Sequence, residues 1–254
     1  MPRVVFIPGF TQTAASWRPV VAEMIDEWDL VVADIPDGLS FVDTATALAQ
    51  QHGAAFYIGY SMGARLALQL ALDHPEVVQG LVLTSGTPGL ADANDRAARA
   101  ASDYALAERI ETIGADAFIA EWLTQPMFAT LPDDPEDRAA RAAQPAARLA
   151  HQLRALGQGT MEPLWDRLGE LNMPVLLAVG GTDEKYATVA REMMRSLGPN
   201  ADAAVLDSGG HAVHVEHPFA FAILLLEFVI SSMRAAGQES EPSDGTSGDV
   251  TTSD

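Results

Sequence analysis

The stretch Gly59-Tyr60-Ser61-Met62-Gly63 lies between an apolar run, Ala54 to Ile58, and a helical run, Ala64 to Leu72. A serine on such a strand-to-helix turn projects its hydroxyl above the end of the sheet, and the glycines remove Cβ atoms that would collide with neighbouring backbone. The first N–H groups of the helix point at the same place, where they can stabilise negative charge. The position between strand and helix therefore predicts that Ser61 is a nucleophile or a base.

Short apolar runs alternate with helical ones along most of the chain. The predicted helices of this pattern include Ala14–Trp28, Phe41–His52 and Glu184–Leu197. Runs that are apolar on both faces favour a parallel sheet with helices on both sides. The predicted strands are Val4–Ile7, Leu30–Ala33, Ala55–Ile58, Leu81–Thr84, Val175–Val179 and Ala203–Leu206.

This arrangement resembles the α/β-hydrolase fold, in which a serine turn of this kind is followed along the chain by an acid and then by a histidine. The sequence begins at the strand that leads into the loop Pro8-Gly9-Phe10-Thr11. The resemblance therefore implies a mostly parallel sheet of about six strands, with the first antiparallel hairpin of the fold missing.

One segment, residues 89–159, has helical patterns and no strand pattern, which predicts a helical lid. The α/β core then consists of residues 1–88 and 160–234. Residues 235–254 are mostly Ser, Gly, Thr, Glu and Asp, a composition that predicts a disordered acidic tail. The lid helices are expected at Asp95–Thr112, Ala115–Leu123 and Glu136–Leu156.

The composition restricts the partners and the environment. The chain has 254 residues, 48% of them hydrophobic, and a net charge of −20, which disfavours nucleic acid and anionic membranes as partners. The absence of cysteine excludes disulfides and thiolate nucleophiles and agrees with a cytoplasmic location, and Met1-Pro2-Arg3 shows no signal-peptide pattern. Phe219 to Ile230, the longest apolar run, carries Glu227 and predicts a buried helix instead of a membrane span. A monomer and a small homo-oligomer are both compatible with the sequence.

A serine hydroxyl needs an imidazole to take its proton and an acid to orient that imidazole. His211 follows the strand Ala203–Leu206, and Asp183 follows the strand before it. Ser61, Asp183 and His211 thus stand in the chain order of the fold, each at the carboxyl end of a strand. We therefore predict that they form a catalytic triad.

Several of the acids and histidines have other possible roles. Asp183 suits the N-cap of the helix that follows it. Asp207 is a rival acid, but it lies too close to His211 in sequence and on the wrong strand. His214 and His217 have spacings that can suggest a metal site, although His217 is placed to begin the last helix. We expect no metal and no organic cofactor.

Two backbone N–H groups are expected to form an oxyanion hole. One should come from Met62, directly after the nucleophile, and the other from Phe10 in the loop after the first strand. The alternative is that Gly9-Phe10 is only a tight turn.

Further motifs resemble those of the 2-succinyl-6-hydroxy-2,4-cyclohexadiene-1-carboxylate synthase (SHCHC synthase) family of menaquinone biosynthesis. The resemblance covers Val4 to about Met233, and its lid motifs are the specific part because the triad is shared by the whole superfamily. It rests on Gly59–Arg65, Arg96-x-x-Arg99 with Asp103 and Leu106-Ala107, Phe118-x-x-x-Trp122-x-x-x-Pro126-x-Phe128, Leu153–Gly159, Pro163-Leu164-Trp165 and Gly210–Glu216.

The resemblance implies a small-molecule substrate with several carboxylates that loses pyruvate in a base-triggered elimination. Ser61 would then remove a proton instead of forming an acyl-enzyme. Arginine forks bind carboxylates in a bidentate manner, and an acidic protein needs them to admit a polyanion. The implied substrate-binding residues are Tyr60, Arg65, Arg99, Trp122 and Arg141.

These residues also have plainer interpretations. Arg99 and Arg141 can form solvated pairs with acids one helical turn away. Arg65 can brace the serine turn, and Trp122 can pack with Phe118 in the core of the lid.

Three departures from the family pattern leave the exact substrate open. Ala64 replaces a frequent glycine, the loop Asp34–Ser40 lacks the usual Gly-His-Gly, and the first antiparallel hairpin is missing. The leading hypothesis is a carbon–carbon lyase that acts on a polycarboxylate. The alternatives are a carboxylic ester hydrolase, which uses the same triad through an acyl-enzyme, and a non-catalytic ligand-binding member of the fold. The lid arginines separate the first two, because a hydrolase of neutral esters gains nothing from burying Arg99 and Arg141 in its pocket.

Overall fold

A six-stranded parallel sheet forms the centre of the molecule in the computed structural model, which describes residues 1–239. The strands are β1 (Arg3–Ile7), β2 (Asp29–Val32), β3 (Ala55–Tyr60), β4 (Val78–Thr84), β5 (Val175–Gly180) and β6 (Ala201–Leu206). Their order across the sheet is β2-β1-β3-β4-β5-β6, and every neighbouring pair is parallel. The predicted number of strands and their parallel direction are confirmed.

Helices cover both faces of this sheet. They are α1 (Ala14–Val21), α2 (Phe41–His52), α3 (Met62–Asp73), α4 (Ala93–Trp122), α5 (Pro135–Ala142), α6 (Ala146–Leu156), α7 (Glu184–Met193), α8 (Val213–Glu216) and α9 (Pro218–Glu239). α2, α3 and α7 pack on one face, and α1, α8 and α9 pack on the other.

Alternate residues of β1 enter the two cores that these helices close. Val5 and Ile7 pack with α2 and α3, whereas Val4 and Phe6 pack with α1 and α9. All four side chains are fully buried, and each such burial stabilises the fold by about 1.5–3 kcal/mol. Burial on both faces holds β1 firmly between β2 and β3, and the loop at its carboxyl end therefore starts from a well-packed strand.

Three helices, α4, α5 and α6, lie between β4 and β5 in the chain, where the sequence predicts a lid, and we keep that name for them. The first two predicted lid helices form one element, α4, which kinks at Gly114 with φ of 81°. The third divides into α5 and α6 because Pro145 has no N–H and disfavours helical backbone in the residue before it. A small apolar core holds α4 against α6 and includes Ala107, Ile110, Phe118, Ile119, Leu149 and Leu153.

The two terminal helices differ from the sequence prediction. α1 ends at Val21 instead of Trp28, and turns lead from it into β2. α9 continues to Glu239, so the first five residues of the predicted tail are helical, and residues 240–254 lie outside the described part of the chain.

The last helix, α9, is also the most apolar one. Within residues 1–239, Pro218–Gly237 is the one segment with the length and composition of a membrane span. Phe221, Leu225 and Val229 of this helix are fully buried in the core that α9 shares with α1. One face of α9 is therefore packed as in a core helix, whereas Phe219 and Ile223 are exposed, so the buried helix that the sequence predicts is buried on one face only.

Candidate active site

Ser61 occupies the sharp turn between β3 and α3. Its backbone is strained, with φ of 51° and ψ of −106°, a conformation that costs of order 1–3 kcal/mol for a residue other than glycine. The Ser61 N–H donates to the carbonyl of Thr84 at 2.9 Å, which ties the turn to β4. A Cβ atom on Gly59 would overlap the carbonyl of Gly63, and one on Gly63 would overlap the carbonyl of Ile7. Both glycines are therefore required by the close approach of neighbouring backbone.

The three predicted triad residues meet at the carboxyl end of the sheet. His211 Nε2 lies 3.4 Å from Ser61 Oγ, and His211 Nδ1 lies 2.7 Å from Asp183 Oδ2. The His211 side chain is 2% exposed and that of Asp183 is 12% exposed. Serine–histidine hydrogen bonds are often long without substrate and shorten in the reacting complex. The geometry suits proton transfer from Ser61 to His211, with Asp183 orienting the ring.

Asp183 has the N-cap role as well. Its Oδ1 accepts a hydrogen bond from the N–H of Tyr186 at 3.3 Å, while Oδ2 faces His211. The start of α7 therefore holds the carboxylate in place, and the two interpretations of this residue are compatible.

Glu216 holds the loop that carries His211, a role that the sequence reasoning missed. Its Oε2 accepts from the N–H of Gly210 at 2.6 Å, and its Oε1 accepts from the N–H of Ala212 at 3.0 Å. One carboxylate thus fixes the backbone on both sides of His211. The only sequence signal was that Glu216 closes the motif Gly210–Glu216 of the resemblance.

The loop Pro8–Thr11 brings Phe10 beside the serine turn. Phe10 and Met62 line the same cavity as Ser61, and no described residue accepts a hydrogen bond from the N–H of Phe10 or of Met62. The tight turn of the alternative interpretation is present too, because the N–H of Gln12 donates to the carbonyl of Gly9 at 3.0 Å. The turn leaves the Phe10 N–H without an acceptor among the described residues, so it can donate a hydrogen bond to a ligand in the cavity.

Gln12 secures this turn through a buried histidine. Its side-chain oxygen accepts from the N–H of Gly9 at 3.3 Å, and its amide nitrogen lies 3.1 Å from His214 Nε2. Burial, followed by the charges of Arg141 and His211, lowers the pKa of His214 well below its ordinary value. His214 is therefore neutral and can accept the hydrogen bond from Gln12.

A cavity of about 480 Å³ lies above the serine hydroxyl and under the lid. That volume suits a small organic substrate. Of the residues predicted from the sequence, it is lined by Phe10, Ser61, Met62, Arg65, Arg99, Trp122, Asp183 and His211.

Arg65 is a buried cation in this lining. It is 7% exposed, and its guanidinium has no ion pair among the described residues. Its nearest interactions are with the Met161 sulfur at 3.7 Å and the Phe41 ring at 5.6 Å. Burial lowers the pKa of Arg65 to about 10, so it is still charged at neutral pH. A buried charge without an ion pair is costly. Because Arg65 lines the cavity, an anionic ligand bound there would form the missing ion pair.

Arg99 also lines the cavity and is partly neutralised. Its Nε donates to Asp103 at 2.8 Å, and its Nη1 donates to Gln158 at 3.0 Å. The Asp103 side chain is 1% exposed and that of Arg99 is 37% exposed. The pair expected one helical turn apart is therefore present, and it orients Arg99 towards the cavity.

Trp122 combines the two roles considered for it. It packs against Phe118, with ring centres 5.7 Å apart, and against Phe10 at 5.1 Å, so it belongs to the lid core. It also lines the cavity, and its buried Nε1 has no hydrogen-bond partner among the described residues.

Tyr60 and Arg141 lie outside the lining, unlike the other predicted binding residues. Tyr60 is buried between His211 and His214, with ring centres 5.4 Å and 4.3 Å away, and burial raises its pKa well above 10. Arg141 is 2% exposed and donates to Asp137 at 2.6 Å and to Thr11 at 3.0 Å. Its fork is occupied by protein groups, so the structure corrects the expectation that Arg141 faces the substrate.

The sequence reasoning did not single out the other lining residues, among which Lys185 and Tyr186 lie next to Asp183. These two follow Asp183 in the first turn of α7, and that position is the signal that could have revealed them. In residues 1–239, no three His, Asp or Glu side chains are grouped to hold a metal ion. His214 pairs with Gln12 instead.

The chain is similar to known proteins in both sequence and structure. The model of the alpha/beta hydrolase family matches residues 4–223, so the chain belongs to that family of enzymes. Its resemblance to the SHCHC synthases is confirmed by a 2-succinyl-6-hydroxy-2,4-cyclohexadiene-1-carboxylate synthase of Serratia proteamaculans (strain 568). That protein is 31% identical over 246 residues, a match that covers 91% of this chain and 94% of the relative.

Two other proteins show the same similarity to this chain. A Bacillus subtilis (strain 168) protein with a provisional form of the same name is 38% identical over 179 residues, which span 68% of this chain and 65% of that protein's length. The solved structure of MenH from S. aureus superposes with a TM-score of 0.85 at 26% identity and covers 91% of this chain and 94% of its own.

Proposed function

We propose that this protein is a lyase that eliminates pyruvate from a polycarboxylate intermediate of menaquinone biosynthesis, in the manner of an SHCHC synthase. The observation that carries the proposal is Arg65, a buried and unpaired guanidinium in the same cavity as Ser61. A substrate carboxylate would supply the missing counter-ion. A neutral ester would leave this charge unpaired in a closed site.

Ser61, Asp183 and His211 are proposed to form the catalytic triad. His211 takes the proton of the Ser61 hydroxyl, and Asp183 stabilises the resulting imidazolium. The Ser61 oxygen then removes a proton from a carbon of the substrate. The electron pair left on the substrate expels pyruvate as its enolate, and the imidazolium returns a proton to that enolate. Ser61 ends the cycle protonated, and no acyl-enzyme forms.

The N–H groups of Phe10 and Met62 are proposed to form the oxyanion hole. Negative charge develops on the substrate as Ser61 removes the proton, and preorganised donors in a closed site stabilise such charge strongly. Arg65 and Arg99 would bind carboxylates away from the reacting carbon, and Trp122 would pack against the substrate. The two cations allow a polyanion to enter a protein whose net charge is −20.

The test measures pyruvate release from the SHCHC-synthase substrate beside the hydrolysis of a short-chain nitrophenyl ester. Wild type, Ser61→Ala and the control Ser231→Ala, an exposed serine on α9, are compared. Fast pyruvate release that Ser61→Ala abolishes, with little ester cleavage, is expected. Ester turnover without pyruvate release would instead support a carboxylic ester hydrolase that uses the same triad.

A further inference from the structure

We propose that the lid helix α5, together with the turn that follows it, holds the oxyanion hole in its working shape. The groups responsible are Asp137 and Arg141 of the helix and Gln144 of the turn, which we name the α5 anchor. The inference rests on the proposed function only in so far as Phe10 donates to a developing oxyanion. In this role Arg141 is a positioning residue and does not contact the substrate.

The first observation is backbone strain next to Phe10. Thr11 has φ of 68°, in the left-handed region that β-branched residues rarely adopt. It is fully buried. Such a conformation persists only where its surroundings hold it, and strain of this kind is concentrated at functional sites.

The second observation is that the end of α5 and the turn after it supply the groups that hold Thr11. Arg141 Nη1 donates to Thr11 Oγ1 at 3.0 Å, and Gln144 Nε2 donates to the Thr11 carbonyl at 2.6 Å. The hydroxyl of Thr11 is thus bound from the last turn of α5 and its backbone oxygen from the turn that directly follows this helix. Since the Phe10 N–H is one residue away, fixing Thr11 fixes the direction in which that N–H points.

Arg141 is itself held by a buried network. Asp137 accepts from Arg141 Nε at 2.6 Å and from Ser16 Oγ at 2.5 Å, and Arg141 Nη2 lies 3.3 Å from Ser16 Oγ. Asp137, Arg141 and Ser16 are each 5% exposed or less. Ion pairs buried in this way are geometrically specific because any displacement leaves a charge unpaired. The network joins α5 to the loop after β1 and to α1.

The consequence is that docking of the lid and assembly of the oxyanion hole are one event. If α5 leaves the core, Thr11 loses both of its partners and its strained backbone can relax. An open lid would therefore have an unformed oxyanion hole, and the serine would act only beneath a closed lid.

Steady-state kinetics of Thr11→Val and Gln144→Met test the role of the anchor. Each variant removes one contact to Thr11 and leaves the Asp137–Arg141 pair intact, so neither is expected to unfold the protein. We expect kcat to fall about 10- to 100-fold, as for small misplacements of catalytic groups, with KM within about twofold of wild type. Thr11→Ser, which keeps the hydroxyl, should restore kcat to within about threefold. Arg154→Met is the matched lid control, because Arg154 pairs with Glu111 away from this loop.

A binding measurement separates positioning from contact with the substrate. In the inactive Ser61→Ala background, Arg141→Met should leave the Kd of the polycarboxylate substrate within about twofold, whereas loss of a direct carboxylate contact would raise it about tenfold or more. Such a rise, or wild-type kcat in Thr11→Val, would overturn the proposal. Should wild type release no pyruvate, the proposed function fails, and the anchor is then tested by the same kcat comparison on the nitrophenyl ester, whose hydrolysis also needs an oxyanion hole.

Discussion

Arg65 shows how one side chain can oppose folding and favour binding. Its guanidinium is buried beside an aromatic ring and a thioether, with no carboxylate of the described residues in an ion pair with it. Desolvation of the charge lowers its pKa to about 10. The same desolvation strengthens any interaction with an incoming carboxylate, because little water remains to screen it.

Replacing Arg65 with methionine should therefore separate stability from function. We expect Arg65→Met to raise the free energy of unfolding by roughly 1–3 kcal/mol, as in other replacements of buried charges by apolar residues. The same change should lower kcat/KM for the polycarboxylate about 100-fold. Chemical denaturation and pyruvate-release assays measure the two effects, with exposed Arg191→Met as the control. A variant that is less stable than wild type would show that Arg65 braces the serine turn instead.

Glu216 gives a second prediction at this scale. The carboxylate accepts one N–H on each side of His211, and a glutamine can accept only one of them with its single oxygen. Glu216→Gln should let the His211 loop shift and lower kcat about tenfold, with KM nearly unchanged. Glu184→Gln, an exposed acid in the first turn of α7, is the control. An unaltered kcat in Glu216→Gln would mean that one hydrogen bond suffices to hold the loop.

The lowered pKa of His214 should make the stability of the protein depend on pH. Burial lowers its pKa well below 6.5 in the folded protein, whereas the unfolded chain takes up a proton near that value. The unfolded state thus binds more protons, and stability is lost as pH falls below about 6.5, by up to ~1.4 kcal/mol per pH unit for this group. Thermal unfolding between pH 7.5 and 5 should show a smaller loss for His214→Phe than for wild type.

A second histidine, His52, contributes in the same direction, because burial and then the charge of Arg3 lower its pKa. The variant His52→Gln separates its share from that of His214. An equal acid sensitivity in wild type and His214→Phe would contradict a neutral, buried His214.

Among the elements, the kinked helix α4 depends on one residue. Gly114 has φ of 81°, and a Cβ atom there would meet nothing within 4 Å. Gly114→Ala should therefore lower the free energy of unfolding through backbone strain alone, by about 1 kcal/mol or somewhat more. It should also straighten α4, which would move the lid and raise KM.

Denaturation and kinetics check this prediction against Gly169→Ala. A Cβ atom on Gly169 would make only an ordinary van der Waals contact, with the carbonyl oxygen of Ser196 at 3.7 Å, and the φ of Gly169 lies outside the left-handed range. The control should be neutral or slightly stabilising. If both variants behave alike, the kink does not depend on the left-handed backbone of Gly114.

The elements show where sequence reasoning succeeds. The predicted helix Phe41–His52 has the observed bounds, and the structure shows the local cause, since Ser40 caps its start and Gly53 follows its end. The order Ser61, Asp183, His211 could be read from the chain because each residue follows an apolar strand. These features are local in sequence, so a pattern can reveal them.

What escaped prediction is tertiary. The expectation for Arg141 failed because nothing in the sequence shows that Thr11 and Ser16, far away in the chain, would occupy its fork. The strain at Thr11 is invisible for the same reason, since threonine gives no signal for a left-handed backbone. Helical spacing also extended one lid helix through Pro145, where the observed helices separate.

At the scale of the whole molecule, the net charge of −20 opposes compaction. Like charges on one surface repel, and salt screens them over a Debye length of about 10 Å at 0.1 M. We expect the melting temperature to rise between about 0.01 and 0.3 M NaCl, most steeply at the low end. Sucrose at equal osmolarity is the control, because it stabilises proteins without screening charge. A melting temperature that does not respond to NaCl would mean that local ion pairs already compensate the acidic surface.

The place of the lid in the chain bears on how such proteins change over evolutionary time. β4 and β5 are neighbours in the sheet, yet the entire lid is inserted between them. The entropy of closing a chain segment rises only with the logarithm of its length, about 0.6 kcal/mol for each doubling. The length of the insertion therefore has little effect on the free energy of pairing β4 with β5. The scaffold can therefore keep the proposed triad while the segment that covers the cavity is exchanged. A new lid would then need its own contacts to hold the loop after β1.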